Sequence, residues 1–479
     1  MTTTKTTKSP SGAGHWAALP VLLAGAFMVV LDFFIVNVAL PSIAADLGAK
    51  ESSLEWIVAG YGLTFAAFLI TAGRLGDELG RRRIYAIGLV LFTLASAACG
   101  LAPTPTTLVL ARVVQGVAGA IVMPQVLSII GVTYRGPDYV RAISIYGMVL
   151  GLAAVGGQLI GGGLVESDVA GLGWRWCFLI NVPVGLAAFA LTPRLVPESR
   201  AERRGSLDLA GSALVASGLV AVLLPLIEGR EQDWPLWTWI SLGAAPLILG
   251  AFVAHERRLG RRDAGPLLDL TLFRERAFSA GLVTQLFLAS AQAAFFVYLA
   301  LYLQVGRGLS ALESGLLFAI VAVAYVAVSG PAPKLTERYG RSVVAVGGLS
   351  LAAGLALLAT TVSEVGVGGS VAALAPGLAL AGVGIGLCFT PLTATVLRNV
   401  DSERVGAASG TMSTMQQVGY AVGVAVTGLI FFGAGQDVAR AFEISLIQLA
   451  VLGVGIVLAS RLLPATPAST GAPAVAEAG

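Results

Sequence analysis

Fourteen stretches of this chain are apolar enough, for long enough, to cross a lipid bilayer. They fall at about 17–40, 54–73, 84–102, 107–131, 140–164, 176–193, 209–228, 237–254, 277–303, 311–331, 342–362, 371–397, 405–432 and 442–463. A helix rises 1.5 Å per residue, so roughly 20 apolar residues span the hydrocarbon core. In lipid every backbone N–H and C=O must be satisfied within the segment, which leaves helices as the reading of such runs. The connections are short, and none is long enough to hold a folded soluble domain. Only 12% of residues are charged, against roughly 25% in soluble domains. The class expected is therefore an all-α integral membrane protein.

Where the few charges fall gives the topology. With the N-terminus inside and the spans alternating, 24 of the 30 Lys and Arg lie in inner segments, five (Lys50, Arg175, Arg230, Arg307, Arg440) in outer ones, and Arg112 within a span. That asymmetry follows the positive-inside rule and requires an even number of spans. The seven Trp all sit near helix ends, as an interfacial belt requires. A multi-pass protein of the cell membrane with both termini cytoplasmic is expected. The first residues lack an apolar signal-peptide core, and 464–479 read as a Pro/Ala tail that cannot pack. The three cysteines, Cys99, Cys177 and Cys388, read as small core residues. No Walker A loop, HExxH or nucleophile elbow occurs, and the two histidines lie at inner helix ends. No enzyme activity, cofactor, metal site or nucleic-acid partner is expected.

An internal repeat divides the chain. RLGDELGR (74–81) after the second span matches KLTERYGR (334–341) after the tenth, and Pro124 and Pro391 fall in corresponding spans. Two halves of six helices account for twelve spans, and the surplus pair lies between them. The expected segments are a polar N-terminus 1–16, a six-helix bundle 17–195, a linker 196–275 with two extra helices, a second bundle 276–463, and the tail 464–479. Repeats of this kind mark transporters whose substrate site lies near the bilayer midplane between the halves.

These features resemble the major facilitator superfamily, and within it the 14-helix drug:proton antiporters of the EmrB/QacA-like group. The resemblance runs over about 17–463. It rests on LDFFIVNVALP (31–41), GRLGDELGRRR (73–83), LVLARVVQGVAGA (108–120), GWRWCFLINVPVG (173–185), PLLDLTLFRERAF (266–278) and SGTMSTMQQVGYAVGVAVTG (409–428), in that order. It implies the major facilitator fold and export of hydrophobic or cationic drugs by alternating access, driven by a proton gradient. A monomer in the bilayer is expected, with protons and small molecules as its partners. An exporter or symporter of an endogenous metabolite is the alternative, and a non-transporting receptor or intramembrane enzyme a remote one.

Asp32 reads as the only acid deep inside a span, about eight residues from the outer end of the first helix, and Arg112 as the only base. A carboxylate in the membrane must be paired, hydrated or protonated. Asp32 and Arg112 have similar depth, so they can pair directly or through water. Arg112 stays charged, which makes the pair either a switch governed by protonation of Asp32 or a static tie between helices. The resemblance implies proton coupling for both.

Gly73, Asp77, Gly80 and Arg81 are an ordinary basic loop or, by resemblance, a cytoplasmic gate. Asp77 could cap a helix or pair with an Arg across the halves. Glu78 departs from the family's usual basic residue. Gly151, Gly157, Gly161 and Gly162 lie in the glycine-rich fifth helix, which by resemblance is the antiporter motif, although Gln158 stands where the family has Pro. Candidate substrate-cavity residues are Phe33, Asn37, Tyr61, Gln115, Gln125, Tyr146, Gln158, Gln292, Tyr298, Gln416 and Gln417. Gln416 replaces an Arg common in the family. With one deep carboxylate, low proton stoichiometry and neutral or singly charged substrates are expected.

Overall fold

The computed structural model describes residues 16–200, 208–262, 268, 270–397, 400, 405–435 and 437–463. The polar N-terminus, the Pro/Ala tail, and Lys5, Lys8, His15, Arg203, Arg204, Arg398 and Arg404 lie outside them. Fourteen helices long and apolar enough to cross a membrane are present among the described residues, one for each expected stretch. In chain order the helices are α1 (Ala18–Leu47), α2 (Glu51–Leu79), α3 (Arg81–Gly100), α4 (Pro105–Thr133) and α5 (Pro137–Ser167), then the short α6 (Trp176–Leu179) and α7 (Asn181–Leu195), which together form one span. The inserted pair is α8 (Leu209–Glu228) and α9 (Leu236–Arg261). The second half holds α10 (Arg276–Leu301), α11 (Ala311–Ser329), the short α12 (Ala332–Tyr339), α13 (Ser342–Val365), α14 (Ala375–Leu397), α15 (Val405–Gly433) and α16 (Val438–Ser460).

Local signals set several boundaries. Thr104 and Thr107 form a capping box before α4, with Pro105 at its first position, where the missing N–H costs nothing. Ser310 and Glu313 do the same for α11. Gly48 ends α1 at φ 62°, a left-handed turn suited to glycine. The spans are longer than the apolar runs alone suggest. Asp32 is 15 residues, about 22 Å, from the end of α1 at Leu47. It therefore lies near the middle of α1 and not eight residues from its end.

The helices of the two halves pair in the same way. α1 packs on α5 and α7 as α10 packs on α15 and α16. α4 packs on α2 and α3 as α14 packs on α11 and α13. The repeated loop is repeated in geometry too. Gly80 and Gly340 both take positive φ, 108° and 55°. Beside Gly80, Arg82 donates to Val196 O at 3.4 Å, beyond α7. Beside Gly340, Arg341 donates to Arg461 O at 2.6 Å, beyond α16. The halves meet along α2 with α15 and α5 with α11. The inserted pair is not detached from them: Leu219, Leu223 and Ile227 of α8 pack with Ala59 and Leu63 of α2 and Ala421 and Ala425 of α15. α8 therefore covers the α2–α15 seam.

Candidate functional site

One face of the bundle carries the helix ends Ala18, Leu79 and Ser460. It is called the terminal face here, and the opposite one the distal face. A cavity of about 2630 Å³ opens between the halves toward the terminal face. Arg74, Asp77, Glu256, Arg257, Arg261 and Arg274 line its mouth. Its inner end is aromatic and amide-rich. Phe33 of α1 stacks on Tyr420 of α15 with centroids 4.7 Å apart. Phe34 meets Phe296 of α10 edge-on at 5.7 Å. Gln416 donates to the Tyr420 hydroxyl at 2.8 Å. The distal ends are shut: Gln304 donates to Val38 O across the halves.

Behind the inner end, within the first half, lies a sealed polar cluster. Asp32 and Arg112 are both fully buried and form an ion pair. Gln115 Nε2 and Asn181 Nδ2 each donate to Asp32 Oδ1 at 2.8 Å. Ser96 accepts from both amides, at 3.1 and 3.0 Å. Arg112 also donates to Gln115 Oε1 at 2.8 Å and to Ile57 O at 3.0 Å. Three N–H donors thus converge on the Asp32 oxygens, an arrangement that serves the anion. Arg112 Nη2 is buried with no hydrogen-bond partner. The Tyr61 ring lies 4.2 Å below the Arg112 guanidinium and also lines the cavity. One aromatic ring therefore stands between the ion pair and the open space.

The remaining candidates divide. Phe33, Tyr61, Tyr146, Gln158, Gln292, Gln416 and Gln417 line the cavity. Asn37, Gln115, Gln125 and Tyr298 do not: all four are buried. Gln115 serves the ion pair, Gln125 donates to Ala72 O at 2.8 Å, and Tyr298 donates to Val424 O at 2.8 Å. A span that is apolar all round carries no stripe to show which side faces the cavity, so these four could not be separated from the lining residues by sequence. Gly73 and Asp77 line the mouth. Asp77, in the last turn of α2, pairs at 2.8 Å with Arg81 at the start of α3 and not with an Arg across the halves, as fits a cavity open on this face. Gly157 and Gly161 bring α5 onto α1: a methyl on Gly157 would lie 3.1 Å from Ile35 N, and one on Gly161 2.7 Å from the Ile35 side chain. Gly162 meets the backbone of Ala311 on α11, and Gly151 lines the cavity.

One reading needs correction. Asp32 is not the only buried acid in a span, because Glu55 and Glu256 are 3% and 1% exposed. Both lie within two turns of a helix end. Asn181 and Ser96 complete the Asp32 cluster and were missed. The signal available for Asn181 was an amide beside Pro183 in an otherwise apolar run.

The sequence matches the family described as Major Facilitator Superfamily over residues 22–424 and 281–478. It is 39% identical over 427 residues to a probable actinorhodin transporter of Streptomyces coelicolor, covering 88% of this chain and 74% of that protein. It is 34% identical over 449 residues to a tetracenomycin C resistance and export protein of Streptomyces glaucescens, covering 91% and 81%. The fold resembles a crystal structure of a bacterial homologue of the human lysosomal transporter Spinster in an inward-facing, unoccupied conformation. The TM-score there is 0.68 at 18% identity, over 95% of this chain and 98% of that one.

Proposed function

This chain belongs to the Major Facilitator Superfamily, and we propose that it is a proton-coupled antiporter that exports hydrophobic aromatic compounds across the cytoplasmic membrane. Relatives described as a probable actinorhodin transporter and as a tetracenomycin C resistance and export protein support export. The charge asymmetry of the loops supports a cytoplasmic terminal face, which makes this the inward-open state.

The observation that carries the coupling is the sealed Asp32–Arg112 pair one ring behind the cavity. Inward-open, Asp32 is ionised and held by Arg112, Gln115 and Asn181, and the cavity takes substrate from the cytoplasmic side. Outward-open, a proton from outside neutralises Asp32. Arg112 keeps its charge and loses its strongest partner, so Arg112, Gln115 and the Tyr61 ring rearrange. Protonation and substrate occupancy thus favour different arrangements of one cluster, which is what exchange requires.

The lining supports uncharged aromatic substrates over cations. Among its described residues, the only carboxylates are Asp77 and Glu256 at the mouth. Aromatic faces and amides at the inner end suit planar molecules with scattered polar groups. The test is transport in proteoliposomes under an imposed pH gradient. Uphill movement of an uncharged planar dye, with movement of protons the other way, is expected. Transport indifferent to the gradient would refute the antiport.

A further inference from the structure

Glu55 lies one turn inside α2, where the two halves meet on the distal side. It is 3% exposed, and its Oε2 is buried with no hydrogen-bond partner. Its Oε1 and the Tyr298 hydroxyl both press against Gly428 of α15, leaving no room there for a methyl. The Tyr298 hydrogen is already donated to Val424 O. The carboxyl therefore sits in the seam with no cation bonded to it.

The inserted pair closes over this position. From the end of α8 and the loop after it, Glu228 accepts from Trp56 Nε1 and Glu231 from the Ser52 amide, both at 2.9 Å. Arg230 pairs with Glu51 at 2.6 Å and stands 5.0 Å from the Phe432 ring of α15. The loop thus holds α2 by three contacts and touches α15 by a fourth. The charged and titratable groups facing Glu55 are Glu51 from α2, Glu228, Arg230 and Glu231 from the inserted pair, and Tyr298 from α10. α15 presents Val424, Gly428 and Phe432, none of them titratable. Against Glu55 stand three acids and one cation, Arg230, whose ion pair is with Glu51 and not with Glu55.

We propose that Glu55 is a proton-binding site of the distal gate, separate from the Asp32–Arg112 pair, and that the α2–α15 seam closes only with a proton on Glu55. When the seam opens, water reaches the carboxyl, which then ionises at neutral pH like any hydrated glutamate. Closing the seam removes that water. An unpaired carboxylate in the resulting low-dielectric slot costs several kcal/mol, so the closed state is populated with the neutral acid. One proton linked to closure shifts the open-to-closed ratio about tenfold per pH unit, toward closed as the outside turns acid. The inserted pair has a role in this scheme: its loop covers the site and keeps water off it. The proposal relies on alternating access but not on coupling at Asp32.

The test uses the full chain in lipid nanodiscs with spin labels on Lys50→Cys and Gly433→Cys, which flank the seam. Pulsed electron resonance reads the distance as pH is varied. All labelled proteins carry Asp32→Asn, so that opening no longer takes up a proton at Asp32. In that background the ratio of long to short distances rises with pH, approaching tenfold per unit. Adding Glu55→Gln holds the distance short at every pH, with no slope. Adding Gly428→Ala, whose methyl displaces the carboxyl, shifts the population to the long distance. The proposal is overturned if Glu55→Gln keeps the slope of its background, or if Gly428→Ala leaves the closed population unchanged. If the Asp32→Asn background shows no slope while the wild type does, the proton belongs to Asp32, and the proposal fails while the antiporter reading survives.

Discussion

Asp32→Asn should destabilise the protein more than Arg112→Met, and the double variant should recover much of the loss. The aspartate keeps three N–H donors in place: Arg112, Gln115 and Asn181. If Arg112 is removed, Asp32 retains the two amides and can take up a proton, so the cost is about 2 kcal/mol, near that of one charged hydrogen bond. If Asp32 is neutralised, Arg112 cannot lose its charge. It is left with Ile57 O at 3.0 Å, Gln115 Oε1 at 2.8 Å and the Tyr61 face. Breaking a buried pair by removing one partner costs about 3–5 kcal/mol, and these remaining contacts place the cost near the lower end. The double variant leaves no buried charge, so a coupling of about 2–3 kcal/mol should appear in the cycle. Denaturant unfolding of the detergent-solubilised protein measures all four forms. Single effects that add to within about 0.5 kcal/mol would show that the two charges do not depend on one another.

Other perturbations test other parts of the account. Gly161→Val should destabilise the α1–α5 contact by about 1–3 kcal/mol, because even a single methyl lies 2.7 Å from Ile35; thermal melts and transport should fall together. Tyr420→Ala removes the stacking partner of Phe33 and should weaken binding of an uncharged aromatic up to about tenfold, read by dye-fluorescence titration. Asp77→Asn loses only a local pair worth roughly 0.2–0.5 kcal/mol, so melting of the protein with its cavity open on the terminal face should barely move, whereas transport falls if the loop docks in the other state. Asp208 precedes α8, where burial opposes its ionisation but the Gly211 amide and His255 outweigh burial and hold its carboxyl below the ordinary range. Its stabilisation is therefore complete above the unfolded-state value and lost as pH falls through the lowered one; Asp208→Asn should flatten that acid limb in pH-dependent melts.

The number and order of the spans were legible because the hydrocarbon core sets a length that apolar runs must meet. The pairing of Asp32 with Arg112 was legible because a membrane leaves two isolated charges little choice but one another. What the sequence hides is azimuth. α1 and α10 are apolar on every side, so nothing marks Phe33 as facing the cavity or Tyr298 as facing α15. Gln115 and Gln416 are both amides within spans, yet one completes an ion pair and the other lines the cavity. Glu55 was hidden for another reason. It lies one turn from a helix end, where sequence implies water, and its burial depends on α15, Tyr298 and the inserted loop, which arrive from up to 373 residues away at Gly428. Asp77 shows that a motif fixes which groups are present but not which state pairs them.

The central claim is that Asp32 carries the proton that drives export. Its most direct test compares two modes of transport in proteoliposomes holding the wild type or Asp32→Asn. One mode is exchange of labelled for unlabelled aromatic substrate without a gradient, and the other is accumulation driven by an imposed pH difference. The variant should keep exchange, because the cavity is intact, and lose accumulation and the accompanying proton flux. Accumulation by Asp32→Asn at the wild-type ratio of protons to substrate would contradict the account.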